Sequence, residues 1–198
     1  MEILQTIWTA LTTENEMLIK ITSIPMLILE LYVSMLLFTT ILNISTNKKQ
    51  KFLYICILSL IGILNLWVIP TPYNTFINII ACPLLIYFLF KTSFLKSILA
   101  EIIPYIFFVI ISTLLITFCV KITKMPSNNF LQIPLYKLCF SLVMYSITYL
   151  FYLACNKFNL NINLLDKMKR TISFRIFINF IIRINSYSFA ILYIYNLY

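Results

Sequence analysis

Histidine is absent from this chain, and glycine and charged residues are scarce. Its 198 residues include no histidine, one glycine and only 11% charged residues. Without histidine there is no Ser-His-Asp or Cys-His pair, no His-ligated zinc and no phospho-accepting histidine. The single glycine, Gly62, leaves no P-loop and no GxGxxG motif. We therefore predict that the chain is not an enzyme and has no catalytic residues, metal site or cofactor.

Hydrophobic side chains take the place of the missing charge. They make up 62% of the chain, whereas a soluble domain is about half apolar and about a quarter charged. A globule of this size cannot bury so much apolar surface, because too much of a small domain stays exposed. A lipid bilayer accepts that surface. The composition therefore predicts an all-α, polytopic transmembrane helical bundle in the cell membrane.

The basic residues and the cysteines indicate no other class of partner. The net charge is +9, but lysine and arginine lie mainly between the apolar runs, as membrane topology requires. No nucleic-acid-binding motif accompanies them, so we predict lipid and not nucleic acid as the partner of this surface. The five cysteines lie in or beside apolar runs without a CxxC pair, which is typical of small buried hydrophobic residues.

The apolar runs predict six membrane spans of about the length that a bilayer requires. They lie at about 25–44, 52–68, 75–90, 97–120, 135–155 and 172–196. Residues 25–198 thus form a transmembrane domain, and residues 1–24 an extracellular or interfacial segment. Apolar residues recur at helical spacing around Trp8 in this segment. A helix on the membrane interface and a frayed tail remain equally open for it.

The distribution of basic residues predicts the orientation. The loops and loop edges after spans one, three and five hold ten basic residues: Lys48, Lys49, Lys51, Lys91, Lys96, Lys157, Lys167, Lys169, Arg170 and Arg175. The opposite side holds four: Lys20, Lys121, Lys124 and Lys137. Because cytoplasmic loops are enriched in lysine and arginine, the first set is predicted to be cytoplasmic and the N-terminus to lie outside.

Two carboxylates fall inside predicted spans, where an ionisable group is by default a candidate functional residue. Glu30 is near the predicted outer end of span one, where binding a cation, pairing with Lys20 and hydrogen bonding to another span all remain open. Glu101 opens span four, close to Lys91 and Lys96. We favour a structural role for Glu101 at a helix N-terminus and consider Glu30 the better ligand-binding candidate.

Aromatic residues and prolines supply the remaining site candidates. Trp67 and Tyr73 flank the predicted outer turn after span two, and with Glu30 they are our predicted ligand-binding residues. An interfacial aromatic belt also explains these rings. Pro83 and Pro104 are predicted to kink spans three and four and to open space in the bundle core.

One stretch resembles a known family. It reads INIIACPLLIYFLFKTSFLKSILAEIIPYIFFVIISTLLI, and a weaker match follows in the loop NLNINLLDKMKR. These segments resemble the N-terminal multi-span sensor region of the clostridial and bacillar peptide-pheromone sensor histidine kinases with a GHKL-type ATPase domain. The resemblance implies a peptide or small amphipathic ligand at the outer face. It also implies a homodimer or pairing with a full-length kinase, because this chain lacks the kinase domain and its histidine.

Three functions follow as hypotheses. The first is a signal-sensing membrane module of a two-component system without its catalytic domain. The second is a small membrane transport component, such as a substrate-binding subunit, against which we weigh the single glycine and the absence of a polar cluster deep in any span. The third is a degenerate quorum-peptide processing protein, which the lack of histidine would make inactive.

Overall fold

The structure is a computed structural model, and it describes residues 2–68, 73–124, 126 and 132–160, with the side chains of a few of these residues excepted. All regular elements within these ranges are α-helices. They are α1 (Glu2–Thr12), α2 (Glu16–Ile41), α3 (Lys48–Trp67), α4 (Tyr73–Phe90), α5 (Phe94–Thr123) and α6 (Pro134–Lys157). The predicted all-α helical bundle is confirmed.

Side chains at the helix starts explain where three of the helices begin. Asn15 accepts a hydrogen bond from the Leu18 amide at 3.0 Å, and Ser93 accepts one from the Lys96 amide at 3.4 Å. Asn47 and Gln50 form a reciprocal capping box at the start of α3. These bonds satisfy amide groups that have no partner within the helix itself.

The helix ends use residues other than glycine in the left-handed conformation. Asn43, Lys91, Lys124 and Asn159 have φ values between 50° and 55°. Glycine usually occupies such positions because side chains make this conformation costly. In this chain the one glycine lies instead inside α3, so asparagine and lysine end the helices.

Helices α2, α3, α4 and α5 form a closed ring. Each packs against the next in the chain, and α5 packs back against α2. Helix α6 lies outside this ring along α2 and α5, and α1 packs against α6. The loops 42–47 and 91–93 are short, so helix ends that carry lysines gather at one end of the bundle. We call this the basic end: Lys48, Lys49, Lys51, Lys91, Lys96 and Lys157.

Four helices, α2, α3, α5 and α6, are long and apolar enough to cross a membrane. They coincide with predicted spans one, two, four and five. The apolar part of α4, Ile77–Phe90, is shorter and coincides with predicted span three. The sixth predicted span, 172–196, lies outside the described residues. Residues 2–12 form the short N-terminal helix that was one of the two open interpretations, and nothing in the structure shows a membrane interface beside it.

Helix α2 begins nine residues before the span predicted at residue 25. Pro25, the first residue of that predicted span, lies inside the helix. A proline in a helix removes only one backbone hydrogen bond at its own nitrogen, and helix formation satisfies all the other backbone groups of a segment in lipid. The earlier start moves the centre of the helix towards Glu30.

Candidate functional site

A cavity of about 140 Å³ lies among the four ring helices. Its lining residues come from successive turns of each helix: Leu27, Glu30, Leu31, Ser34 and Phe38 of α2; Tyr54, Leu58 and Gly62 of α3; Asn78 and Cys82 of α4; Ala100, Glu101, Pro104, Tyr105 and Phe108 of α5. The spacing of three and four residues along each helix is what places these side chains on one face. The cavity is therefore formed by all four helices of the ring.

Both candidate carboxylates line this cavity. Glu30 enters it from α2 and Glu101 from α5. Our interpretation of the sequence separated them, with Glu30 near the outer end of its span and Glu101 at the cytoplasmic end of another. The structure brings them together, and this meeting is the main feature of the candidate site.

The helix bounds place the two carboxylates within about 6 Å of each other along the helix axes. Glu30 precedes the end of α2 at Ile41 by eleven residues, about 16 Å along the axis. Glu101 follows the start of α5 at Phe94 by seven residues, about 10 Å along the axis. Both helix termini lie at the basic end. Neither carboxylate is therefore at a helix end.

Glu30 is held by a hydrogen bond from outside the ring. The Tyr145 hydroxyl of α6 donates to Glu30 Oε2 at 2.8 Å. Of the three roles left open for Glu30, hydrogen bonding to another helix is the one that the structure contains. Lys20, the proposed ionic partner, instead pairs with Glu16 at 2.8 Å. That is the only salt bridge found within the described residues, so neither cavity carboxylate has an ionic partner there.

The surroundings of Glu101 combine a thiol, a phenol and an interrupted helix backbone. Its carboxylate interacts with Cys82 of α4, and the Tyr54 hydroxyl lies 3.5 Å from Cys82 Sγ. Pro104 has no amide hydrogen to bond the carbonyl of Ala100, four residues before it. Both residues line the cavity. Pro104 thus lies in the cavity wall, where we predicted that it opens space in the bundle core.

An amide pair extends the polar surface towards the far end of α3. Asn65 Nδ2 donates to Asn78 Oδ1 at 2.8 Å, and Asn78 lines the cavity. Asn65 is only 5% exposed, and its Oδ1 has no hydrogen-bond partner among the described residues. Polar groups thus extend through the middle of the ring. The ring thus brings polar groups of several helices together, which weakens one objection to a transport component.

Of the other two predicted ligand-binding residues, only Trp67 has a described side chain, and it does not reach this cavity. Trp67 is the last residue of α3 and is 48% exposed. It is not among the residues that line the cavity, which α3 reaches only as far as Gly62. Tyr73 is the first residue of α4, and its side chain is not described. Of the two predicted residues whose side chains are described, Glu30 lies in the cavity wall and Trp67 does not.

Several lining residues had no distinguishing signal in the sequence. Tyr54, Asn78 and Cys82 are ordinary members of apolar runs, and only contacts between helices give them a role. Glu101 had a signal, since it is a carboxylate three residues before a proline inside a span, but its nearness to Lys96 favoured an interfacial position. Its distance from the basic end was the better guide, because Glu101 lies about 10 Å and Glu30 about 16 Å from that end.

The arrangement can accept hydrogen bonds and attract positive charge within an otherwise apolar ring. No cluster of three or more side chains suited to a metal ion occurs in the part of the chain that the structure describes. The fold and site together define a helical bundle of membrane-protein character with an internal cavity that holds two carboxylates. Comparison with protein-family models, curated proteins and solved structures found no match for the chain.

Proposed function

We propose that this protein is a signal-sensing membrane module that binds its ligand inside the helix ring and has no catalytic activity of its own. The observation that carries the proposal is the cavity with Glu30 and Glu101 in its wall. A ligand there contacts four helices at once. Binding that favours one packing of these helices over another shifts their equilibrium, which is how a ligand produces a conformational signal.

The connection from the cavity to the rest of the bundle supports a sensor. Glu30 faces the cavity and also accepts the hydrogen bond from Tyr145 of α6. Lys137 of the same helix donates to Ser23 Oγ of α2 at 2.9 Å. A change at Glu30 therefore reaches a helix outside the ring through a direct polar contact. The resemblance of residues 77–116 to the sensor regions of histidine kinases points the same way.

The proposal includes an orientation and a partner. Cytoplasmic placement of the basic end follows from the positive-inside rule, which puts the N-terminus outside the cell membrane. The partner is a sensor histidine kinase, and the module signals by pairing with it or with a second copy of itself. Because the cavity lies within the ring, the ligand is small and not a peptide bound to the outer face.

A transport component is the second candidate function. The specific observation in its favour is the same cavity, since substrate sites of membrane transporters lie near the bilayer midplane and are built from several helices. A sensor and a binding subunit differ in what they assemble with. A degenerate peptidase gains no support from the cavity, because a carboxylate pair does not replace the missing Cys-His nucleophile.

Affinity purification from native membranes tests the proposal. The tagged chain is expressed in its own host, solubilised in mild detergent, and its partners are quantified against a tagged, unrelated multi-span protein. We expect enrichment of a histidine kinase, and retention of that kinase by the Glu30→Gln/Glu101→Gln variant with altered autophosphorylation. Enrichment of transporter ATPase subunits without a kinase would support the second candidate, and enrichment of neither would reject the sensor.

A further inference from the structure

We infer that the cavity binds a small organic cation, a primary alkylammonium group whose charge lies between Glu30 and Glu101. The inference rests on the proposed function in that it takes the cavity as the ligand site. It goes further in naming the chemistry of the ligand. Four properties of the cavity bear on it separately: the charge of its wall, its aromatic side chains, its hydrogen-bond acceptors and its volume.

The charge of the cavity wall is one-sided. Glu30 and Glu101 both line it, and no lysine or arginine within the described ranges does so. An ionised carboxylate is costly inside a membrane bundle unless a positive group or hydrogen-bond donors compensate it. Tyr145 supplies one donor to Glu30. A cation in the cavity lies near both carboxylates and compensates one unit of their charge.

Aromatic rings favour an organic cation over an inorganic one. Phe38, Tyr54, Tyr105 and Phe108 line the same cavity. Aromatic faces attract ammonium groups and pack against alkyl chains. A hard metal ion needs about six oxygen ligands, whereas much of this wall is hydrocarbon. The wall thus suits a ligand with one charged end and one apolar end.

Hydrogen-bond acceptors beyond the carboxylates suit a donor-rich ligand. Pro104 leaves the Ala100 carbonyl without its usual amide donor, and both residues line the cavity. Asn65 is not itself in the wall, but it donates to the lining residue Asn78 and thereby occupies the Asn78 Oδ1. A primary ammonium group has three donors and no acceptor, which matches a wall that holds two carboxylates and the Ala100 carbonyl.

The volume limits the size of the ligand. The cavity measures about 140 Å³, and an apolar cavity of about 150 Å³ is known to hold benzene. A primary amine with a short alkyl chain therefore fits, whereas a peptide does not. We take n-butylammonium as the probe, because it carries the proposed charge and an apolar tail of suitable length.

The test uses the full chain in nanodiscs and ligand-observed NMR, with empty nanodiscs to subtract partitioning into lipid. The probes are n-butylammonium chloride, n-butanol as the neutral analogue, and sodium chloride at equal ionic strength as a competitor. We expect n-butylammonium to bind at least about tenfold more tightly than n-butanol, since hydrogen bonds to charged groups contribute that much. Sodium chloride should not displace it.

Three variants locate the binding. Glu30→Gln and Glu101→Gln should each weaken n-butylammonium binding by about tenfold or more, and neither adds volume. Ser34→Leu fills the cavity, leaves both carboxylates in place and should also abolish binding. The matched control is Glu16→Gln, a carboxylate on the same helix as Glu30 that is exposed and pairs only with Lys20. It should bind like the unaltered chain.

Several results would overturn the inference. They are equal binding of n-butylammonium and n-butanol, displacement by sodium chloride, an equal loss in Glu16→Gln, and no binding at all. Size-exclusion profiles of the glutamine variants verify that a loss is not caused by unfolding. None of these results bears on whether a histidine kinase co-purifies, so the ammonium inference can fail while the sensor proposal stands.

Discussion

The ring of four helices is packed solid towards its basic end and hollow in its middle. At the basic end Phe38, Tyr54 and Phe90 form an aromatic cluster with ring centroids 5.5 to 6.1 Å apart. In the middle the same helices separate around Glu30 and Glu101. Phe38 and Tyr54 belong to both regions, since they line the floor of the cavity. One region therefore holds the helices together, and the other leaves space between them.

Polar contacts reinforce the solid region. Gln50 Nε2 of α3 donates to the Leu89 carbonyl of α4 at 2.7 Å, and the Thr92 and Ser97 hydroxyls lie 2.9 Å apart. These bonds connect the loops and helix ends around the cluster. In the hollow region the cavity wall holds two carboxylates, Glu30 and Glu101, that have no ionic partner among the described residues. The helices are therefore held together by more contacts at the basic end than around the cavity.

The largest expected effect comes from removing a ring of the aromatic cluster. Phe38→Ala should lower the free energy of unfolding by about 3 kcal/mol, because the packing contacts of a buried phenylalanine are lost and a void remains. Thermal unfolding in detergent measures the change. Phe88→Ala on α4 is the matched control, since Phe88 is 71% exposed, and should stay within about 0.5 kcal/mol. Similar losses in both would contradict a solid basic end.

A smaller effect is expected from the hydrogen bond that connects the cavity to α6. Tyr145→Phe removes the donor to Glu30 and should destabilise the chain by about 1 to 2 kcal/mol, since a buried carboxylate loses a partner. Tyr149→Phe, one turn further along α6, is the control, because Tyr149 is 40% exposed and its hydroxyl has no hydrogen bond among the described residues. If the two variants melt alike, Glu30 does not depend on Tyr145.

The smallest effect is expected at Gly62, where α2 and α3 approach in the cavity wall. A methyl group there would collide with the end of the Leu27 side chain, which is flexible and borders empty space. Gly62→Ala should therefore change stability by less than about 1 kcal/mol, because the gain in helix propensity offsets the displacement.

Repeating Gly62→Ala in a chain that also carries Leu27→Ala separates the gain in helix propensity from the cost of displacing the Leu27 side chain. Without the Leu27 side chain, Gly62→Ala should stabilise the helix by about 1 kcal/mol through propensity alone. The difference between the two backgrounds in thermal unfolding measures the contact. No difference would mean that Gly62 does not serve the close approach of α2 and α3.

The helices were largely predictable, because apolar run length and capping residues act locally. Asn47 and Ser93 mark helix starts, and spans two and four were predicted to begin only a few residues later. The start of α2 was not predicted, because Pro25 was taken for the beginning of a span. Asn15, which starts this helix with its side chain, was the better signal.

The site was predictable only one residue at a time. Glu30 was selected because a charge inside a span is costly, and the structure places it in the cavity wall. Glu101 was recognised but assigned to the membrane surface, and Trp67 was selected although it lies at the end of α3. Each helix must turn about its axis in a particular way for its polar residues to face those of another helix. The spacing of apolar residues does not determine that orientation when every face of the helix is apolar.

Composition and run length determined that this chain is a helical membrane-type bundle, because apolar surface on this scale requires lipid and continuous apolar segments require helices. Only the tertiary structure decided that α2 to α5 form a ring, that Glu30 and Glu101 meet inside it, and that Tyr145 reaches Glu30 from outside. The physical reason is that helix formation depends on neighbours in sequence, whereas a cavity depends on how distant helices pack against one another.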